Sequence, residues 1–479
     1  MNPQDKPESE STKWGDLAED DEVDSGASED NLSKEVEEKL STKVAPGNED
    51  VDEPLPISVT KGQLLPNQEE DKLIVDQSDP TSPLYSVHSF EELGLAPELL
   101  RGVYALGYNK PSRIQEAALP IALGNPPQNL IAQAQSGTGK TAAFTLSMLS
   151  RSTPEPYPQA LCVCPTRELA RQIHSVVSEM GKFSEIKPLL VVRDAPIPKT
   201  KITHQIVIGT PGKLLDLLKH RTLDTSRIKV FVLDEADEML ALQGLSPQTL
   251  RLKNALPGKG KNCQILLFSA TYDDKVAKFA YQVVPKPHVS IRLERKQLSL
   301  DKIAQFYIDC GSEGNKFNVL AELYCYLSVG QSIIFVARRS TAQEITQRMR
   351  AMKHTVSLLH GGDMESNERD AVIDDFRSGK TKVLITTNVL ARGIDILQVS
   401  LVINYDLPLD RENRPDFSTY LHRIGRSGRF GRSGIAINFV HDNASKKDLQ
   451  AIEAYFQRKI EPFPEEDMAK LTDMLREIQ

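Results

Sequence analysis

The stretch "NLIAQAQSGTGKTAAFTLSMLS" (129–150) constrains the fold more than any other part of the chain. An apolar strand runs into a loop bearing Gly137 and Gly139, and a helical segment opens on Lys140 and Thr141. That order of strand, loop and helix is what a phosphate cradle requires. Glycines let backbone N–H groups approach phosphate oxygens, the lysine reaches the β and γ oxygens, and Thr141 can ligate Mg2+ where the helix dipole favours anions. Ser136 and Thr138 complete the loop, and Ala134 stands where the general pattern has its first glycine.

A strand feeding such a loop belongs to a parallel sheet, and the rest of the chain supplies one. Apolar runs rich in β-branched residues ("ALCVCP", "PLLVV", "QIVIGT", "KVFVLDEAD", "QILLFSAT", then "SIIFVA", "VSLLH", "KVLITT", "SLVINY", "GIAINFV") alternate with helix-period segments such as "RELARQIHSVVSEM". Strand–helix alternation predicts parallel sheets covered on both faces. The strands exceed one typical sheet, and "RLERKQLSLDK" breaks the pattern near the midpoint. The expected fold class is therefore α/β in two lobes, 81–292 and 303–479, joined by a linker at 293–302. The net charge of −8 over 479 residues conceals a split: residues 1–80 hold 23 Asp/Glu against 7 Lys/Arg, so the remainder is basic. The leader is too polar to bury a core and is expected to be a disordered acidic extension. One amphipathic stripe interrupts it, at Leu32, Val36, Leu40 and Val44. A basic body points to a polyanion partner. No secretory leader and no apolar run near twenty residues occurs, and the five cysteines form no CxxC pair. The expectation is a soluble intracellular monomer with reduced thiols and no membrane insertion. Cys162 and Cys164 alternate along one strand and are expected in the core, while His360 and His441 lack metal-ligand spacing and read as ordinary loop histidines.

The strand "VFVL" ends in adjacent acids, Asp234 and Glu235. Carboxylates there lie at the C-terminal edge of a parallel sheet, where ligands bind. Asp234 would hold Mg2+, through water, and Glu235 would orient or deprotonate the attacking water. Hydrolysis also needs positive charge on the γ-phosphate in the transition state. In "HRIGRSGRFGR", Arg423, Arg426 and Arg429 are spaced by three and can share one helical face or loop rim. They lie in the second lobe, so the ATP site is complete only when the lobes close.

Together these motifs resemble the DEAD-box RNA helicases, and the match covers about Ser82 to the C-terminus. The resemblance implies tandem RecA-like lobes, with ATP and Mg2+ as cofactors. It places Gln115 of "GYNKPSRIQ" on the adenine edge, with Phe90 packing or stacking and Pro111 shaping the pocket. It implies that "SAT" (Ser269 to Thr271) couples hydrolysis to the carboxylates through Asp237 and His422, and that Asp395 binds ribose. Catalysis then falls to Lys140, Asp234, Glu235, His422, Arg426 and Arg429, with Arg423 in coupling. RNA contacts are implied at Pro165, Thr166, Arg167, Thr210, Gly212, Arg369 and Thr387, types that grip phosphates without reading bases.

Where most members carry a Gly-Gly loop, this chain has "VVRDAPIPK", and Ser366 replaces the usual glutamine three residues before Arg369. The insertion "LDRENRPDFS", together with "SPLYSVHSFEELGLAPELL" and "LQGL", is similar to the nuclear-pore mRNA-export subfamily. Membership implies binding of single-stranded RNA with ATP and remodelling of messenger ribonucleoprotein. It implies recruitment by a β-propeller nucleoporin, stimulation by an inositol-hexakisphosphate-bound export activator, and inhibition by an N-terminal segment. The expected location is cytoplasm and nucleus, enriched at the cytoplasmic face of the pore. The same motifs would serve an ATP-gated RNA clamp with slow hydrolysis, or a general helicase of translation or RNA processing.

Overall fold

The computed structural model describes residues 73–77 in backbone, and 86–134, 137–193, 199–242, 244–293, 303–326, 330–361, 364–388, 399–427 and 433–463. The extension up to residue 72, with its Leu32–Val44 stripe, and residues 294–302 of the expected linker lie outside the described residues.

In the first lobe the strands are β1 (Leu73–Gln77), β2 (Asn129–Gln133), β3 (Ala160–Val163), β4 (Pro188–Val191), β5 (Ile206–Gly209), β6 (Val230–Leu233), β7 (Gln264–Ser269) and β8 (His288–Leu293). The second lobe has β9 (Ile303–Asp309), β10 (Gln331–Phe335), β11 (Val356–Leu359), β12 (Val383–Thr386), β13 (Val399–Asn404), β14 (Gly434–Val440) and β15 (Glu461–Pro462). They form two sheets, ordered β1-β8-β2-β7-β6-β3-β5-β4 and β11-β12-β10-β13-β14-β9-β15. Pairing among the described strands is parallel except at β1, which runs antiparallel to β8 with Leu73 opposite Leu293. β1 falls inside the segment expected to be the acidic extension. Its "LIVDQ" hides among Asp and Glu, and only pairing with an otherwise open edge gives it a place.

The strand period of two divides the first core cleanly. Val230 and Val232 of β6 face one cluster with Ala160, Cys162 and Cys164, whereas Phe231 and Leu233 face the other with Leu161 and Val163. Both cysteines are thus free core residues on one face. Helices cover both faces, so every residue of β3, β5, β6 and β7 is buried, which is why these strands read as unbroken apolar runs. Among the described residues no helix is long and apolar enough to cross a membrane.

Strand order then does what sequence distance cannot. β2, β7 and β6 are neighbours, and their C-terminal ends lead into the glycine loop, the "SAT" segment and the acidic turn. β3 and β5 are neighbours too, leading into "PTRELA" and "TPGK". Two ligand edges are assembled on one rim.

Candidate active site

The glycine loop is shaped by backbone conformations that only glycine adopts cheaply. Gly137 and Gly139 have φ of 85° and 100°, and a Cβ on Gly139 would stand 2.5 Å from Gln115 Nε2. Gln115 closes the loop from behind: its amide nitrogen donates to the Gly139 carbonyl (2.9 Å) and its amide oxygen accepts from Ser112 N–H (2.9 Å) in a capping box. Phe90 is buried in the adjoining core, and Pro111 is buried at the start of the same helix.

Lys140, the first residue of helix Lys140–Arg151, is 5% exposed. Among the described residues its ammonium has no hydrogen-bond partner, and it lies 3.7 Å from Glu235 Oε1. A buried cation without hydrogen-bond partners is expensive, and an anion in the adjoining loop would relieve it. The carboxylates show the opposite need. Burial pushes the Asp234 carboxyl from its ordinary 3.8 up to about 7, opposed by Lys140 and reinforced by Glu235. A divalent cation would restore its charge. The donor set of Lys140, Thr141 and Asp234 therefore fits a nucleotide triphosphate with Mg2+. Glu235 itself adopts φ 52°, ψ 56°, a left-handed conformation that costs a side-chain-bearing residue roughly 1–2 kcal/mol. The strain bends the chain sharply between β6 and the helix Ala236–Ala241, keeping Asp234 and Glu235 both at the rim.

Asp237 is the hub where the lobes meet. Its Oδ2 accepts from Thr271 N–H (3.3 Å) and Thr271 Oγ1 (2.8 Å) in its own lobe, and from Ser418 Oγ (3.2 Å) in the other. His422 Nε2 is 3.1 Å from the same oxygen and 3.8 Å from Glu235 Oε2, and Asp237 N–H donates to Ser269 Oγ (3.2 Å). Glu235, Asp237 and His422 also form a group with potential metal-ligand atoms within 4.8 Å of one another. The Asp237 oxygen is already saturated by donors, so this group reads as a lobe-to-lobe coupling rather than an ion cage.

Arg423 and Arg426 meet different surroundings. Arg423 is 1% exposed and turns into the second lobe: it donates to Asn388 Oδ1, to Asn404 Oδ1 (3.0 Å) and to the Asp406 carbonyl (2.6 Å), 4.9 Å above the Phe335 ring. Burial pulls its guanidinium down to about 9. Arg426, also buried, donates from Nε to the His422 carbonyl (3.0 Å). Ser136, Asp395 and Arg429 lie outside the described residues.

On the other ligand edge, Pro165 is buried, Thr166 caps helix Arg167–Met180 by accepting from Leu169 N–H (3.3 Å), and Thr210 precedes helix Pro211–Lys219 with Gly212 in its first turn. These adjacent helix starts present N–H groups suited to phosphates. Thr387 follows β12, half-buried. Arg167 and Arg369 have carboxylate partners across the lobe boundary. Arg167 pairs bidentately with Asp370 (2.8 and 2.9 Å), joined by Arg171, and Arg369 Nη2 pairs with Glu168 Oε1 (2.7 Å). Glu168, Arg171, Asp370 and Ser418 escaped the sequence reading, because partners some 200 residues apart leave no local pattern. His360 bonds the Gly361 carbonyl (3.0 Å), and His441 pairs with Glu313 (3.1 Å).

A family model described as DEAD/DEAH box helicase matches residues 112–279, and one described as helicase conserved C-terminal domain matches 315–431. The ATP-dependent RNA helicase dbp5 of Schizosaccharomyces pombe is 52% identical over 457 residues, covering 95% of this chain and 88% of the relative. The solved structure of S. cerevisiae Dbp5 bound to RNA and ADP BeF3 superimposes with a TM-score of 0.78 at 50% identity, over 82% of this chain and 100% of that one. The S. cerevisiae protein bound to Nup159, Gle1, IP6 and ADP gives 0.59 at 48% identity, over 80% and 99%.

Proposed function

The chain belongs to the DEAD/DEAH box helicase family, and we propose that within it the protein is an RNA-stimulated ATPase that grips single-stranded RNA between closed lobes and remodels messenger ribonucleoprotein during mRNA export. The observation that carries this reading is the Asp237 hub, where one carboxylate close to Glu235 accepts from both lobes at once. Whatever closes the lobes therefore sets the geometry around Glu235.

The glycine loop and Lys140 hold the phosphates, with Gln115 and Phe90 on the adenine side. Thr141 and Asp234 would hold Mg2+, which would supply positive charge beside the phosphate oxygens. Glu235 orients the attacking water and takes its proton, its Oε2 3.8 Å from His422 Nε2. Arg426 and Arg429 supply positive charge from the second lobe, and Arg423, three residues before Arg426, acts indirectly, anchored on Asn388, Asn404 and the Asp406 carbonyl. The adjacent loops at Thr166 and Thr210, with Thr387 from the second lobe, grip RNA phosphates. The better superposition on the RNA-bound relative supports the closed arrangement, and the relative's complex with Nup159, Gle1 and IP6 supports a nucleoporin and an inositol-hexakisphosphate-bound activator as partners at the nuclear pore.

The test is steady-state ATP hydrolysis by the full chain alone, with single-stranded RNA and with single-stranded DNA, each with and without the activator and inositol hexakisphosphate. Stimulation by RNA and not by DNA is expected. Turnover indifferent to RNA under every condition overturns the reading.

A further inference from the structure

The first lobe carries a second groove, of about 1050 Å3, along the opposite edge of its sheet. Asn129, Gln264 and His288, the first residues of β2, β7 and β8, line it together with Lys229, immediately before β6. It therefore follows the N-terminal ends of the same neighbouring strands whose C-terminal ends carry the nucleotide loops. At a rise of about 3.3 Å per residue, strands of this length separate the two edges by roughly 13–20 Å. The groove is a site distinct from the ATP and RNA edges.

Its lining is one-signed. Arg151, Arg227, Lys229, Lys261 and Lys286 contribute to it, and among the described residues no Asp or Glu does. Among the described residues no carboxylate lies within salt-bridge distance of any of the five. Three of these cations are held in place by neutral partners. Arg151 donates to the Ala122 carbonyl (3.0 Å) and the Gly124 carbonyl (2.8 Å) while its Nε is buried without a hydrogen bond. Burial without a counter-charge lowers its pKa from the ordinary arginine value. Lys229 Nζ donates to Gln159 Oε1 (2.8 Å), and the Arg227 guanidinium lies 4.4 Å over the Tyr157 ring. Asp224, held below its ordinary pKa chiefly by hydrogen bonds from Ser226 and also by the Arg227 charge, lies outside the lining. Positive charge fixed in a concave site with no Asp or Glu among its described lining residues focuses its field on an incoming anion.

The lining also discriminates between anions. Among the described residues it has His288, itself buried, as its only aromatic side chain, so single-stranded nucleic acid would find little ring surface on which to stack a base. Five of its residues are prolines, and Ile228, Cys263 and Val289 back it as buried apolar side chains. We infer that this groove docks an acidic, extended segment of a partner protein, its Asp and Glu side chains meeting the five cations and its intervening apolar side chains packing on the prolines. Such a contact would leave the RNA edge free, so the partner could hold the enzyme through a catalytic cycle.

The experiment uses the full chain and a fluorescent twelve-residue peptide alternating Asp/Glu with Leu and Pro, followed by anisotropy, with a labelled single-stranded oligoribonucleotide measured in parallel. The variants are Lys261→Glu with Lys286→Glu, and Arg227→Glu, all at exposed positions, and RNA-stimulated ATP turnover reports that they are folded. Saturable peptide binding by the wild-type chain is expected, weakened about tenfold or more by the double reversal and by raised salt. RNA affinity and turnover should stay within about twofold, since the groove lies apart from both. Peptide affinity indifferent to the reversals, a parallel loss of RNA affinity, or no saturation of the wild-type chain below roughly 100 µM, a level weaker than ordinary specific docking, would each overturn the inference.

Discussion

Two seams join the lobes, and they are built on opposite electrostatic terms. At the nucleotide edge a single carboxylate, Asp237, with a side chain 3% exposed, meets His422 at 1%. At the other edge the first lobe offers Arg167, Arg171 and Glu168 against Asp370 and Arg369 of the second, and three of these five side chains are 16–20% exposed. A buried group stripped of water tolerates one arrangement of donors and loses heavily when any is removed, so the first seam ties lobe position to chemistry. Half-wet arginine–carboxylate pairs contribute less to stability but set register, because sliding one lobe would bring like charges together. We propose that the first seam answers to the nucleotide and that the second specifies how the lobes dock.

The contrast can be broken at several points. Glu235→Gln should lower RNA-stimulated turnover by roughly 10²–10⁴-fold in steady-state assays, the usual worth of a positioned base, while ATP-dependent RNA binding survives. Retained turnover would remove Glu235 from its role. Asp237→Asn keeps the shape of the hub but loses its charge, and a drop of about 10²-fold in stimulated turnover is expected, with ATP affinity nearly unchanged. An equal loss in the RNA-free rate would mean that Asp237 serves the chemistry directly rather than the lobe contact. Arg369→Glu should cost about tenfold in stimulated turnover, a loss partly recovered by adding Glu168→Arg and reduced at high salt. A double variant no better than the single one would show that Arg369 acts on RNA alone.

The smallest effect is thermal. The folded-state pKa of Asp234, about 7, lies above its ordinary 3.8, so between those values the folded chain binds a proton that the unfolded chain lacks. Stability from this group is full below the unfolded value and is lost as pH rises through about 7, with a slope of at most about 1.4 kcal/mol per pH unit. In chelator and without nucleotide, Tm should rise as pH falls from 7.5 to 5.5, and Asp234→Asn should flatten that rise. A slope unchanged in the variant would place the proton elsewhere.

The parallel sheets were legible because β3, β6 and β7 are buried on both faces and so spell unbroken apolar runs. β8 and β9 were passed over, since "HVSIRL" and "IAQFYID" mix polar residues into their strands, and β1 is a strand only by virtue of the edge it covers. Arginine spacing suggested a shared rim for Arg423, Arg426 and Arg429, yet Arg423 points into a socket of Asn388, Asn404 and Phe335. A period of three places side chains on one helical face without saying what that face meets.

Local chemistry, then, belongs to the sequence: a glycine loop before a helix, and acids at a strand end, carry the residue types that phosphate and metal binding call for. Partnership belongs to the tertiary structure. Asp237 with His422, Arg167 with Asp370 and Glu168 with Arg369 are pairs separated by 185 to 203 positions, and only the parallel order of two sheets and the closure of their lobes brings them within bonding distance.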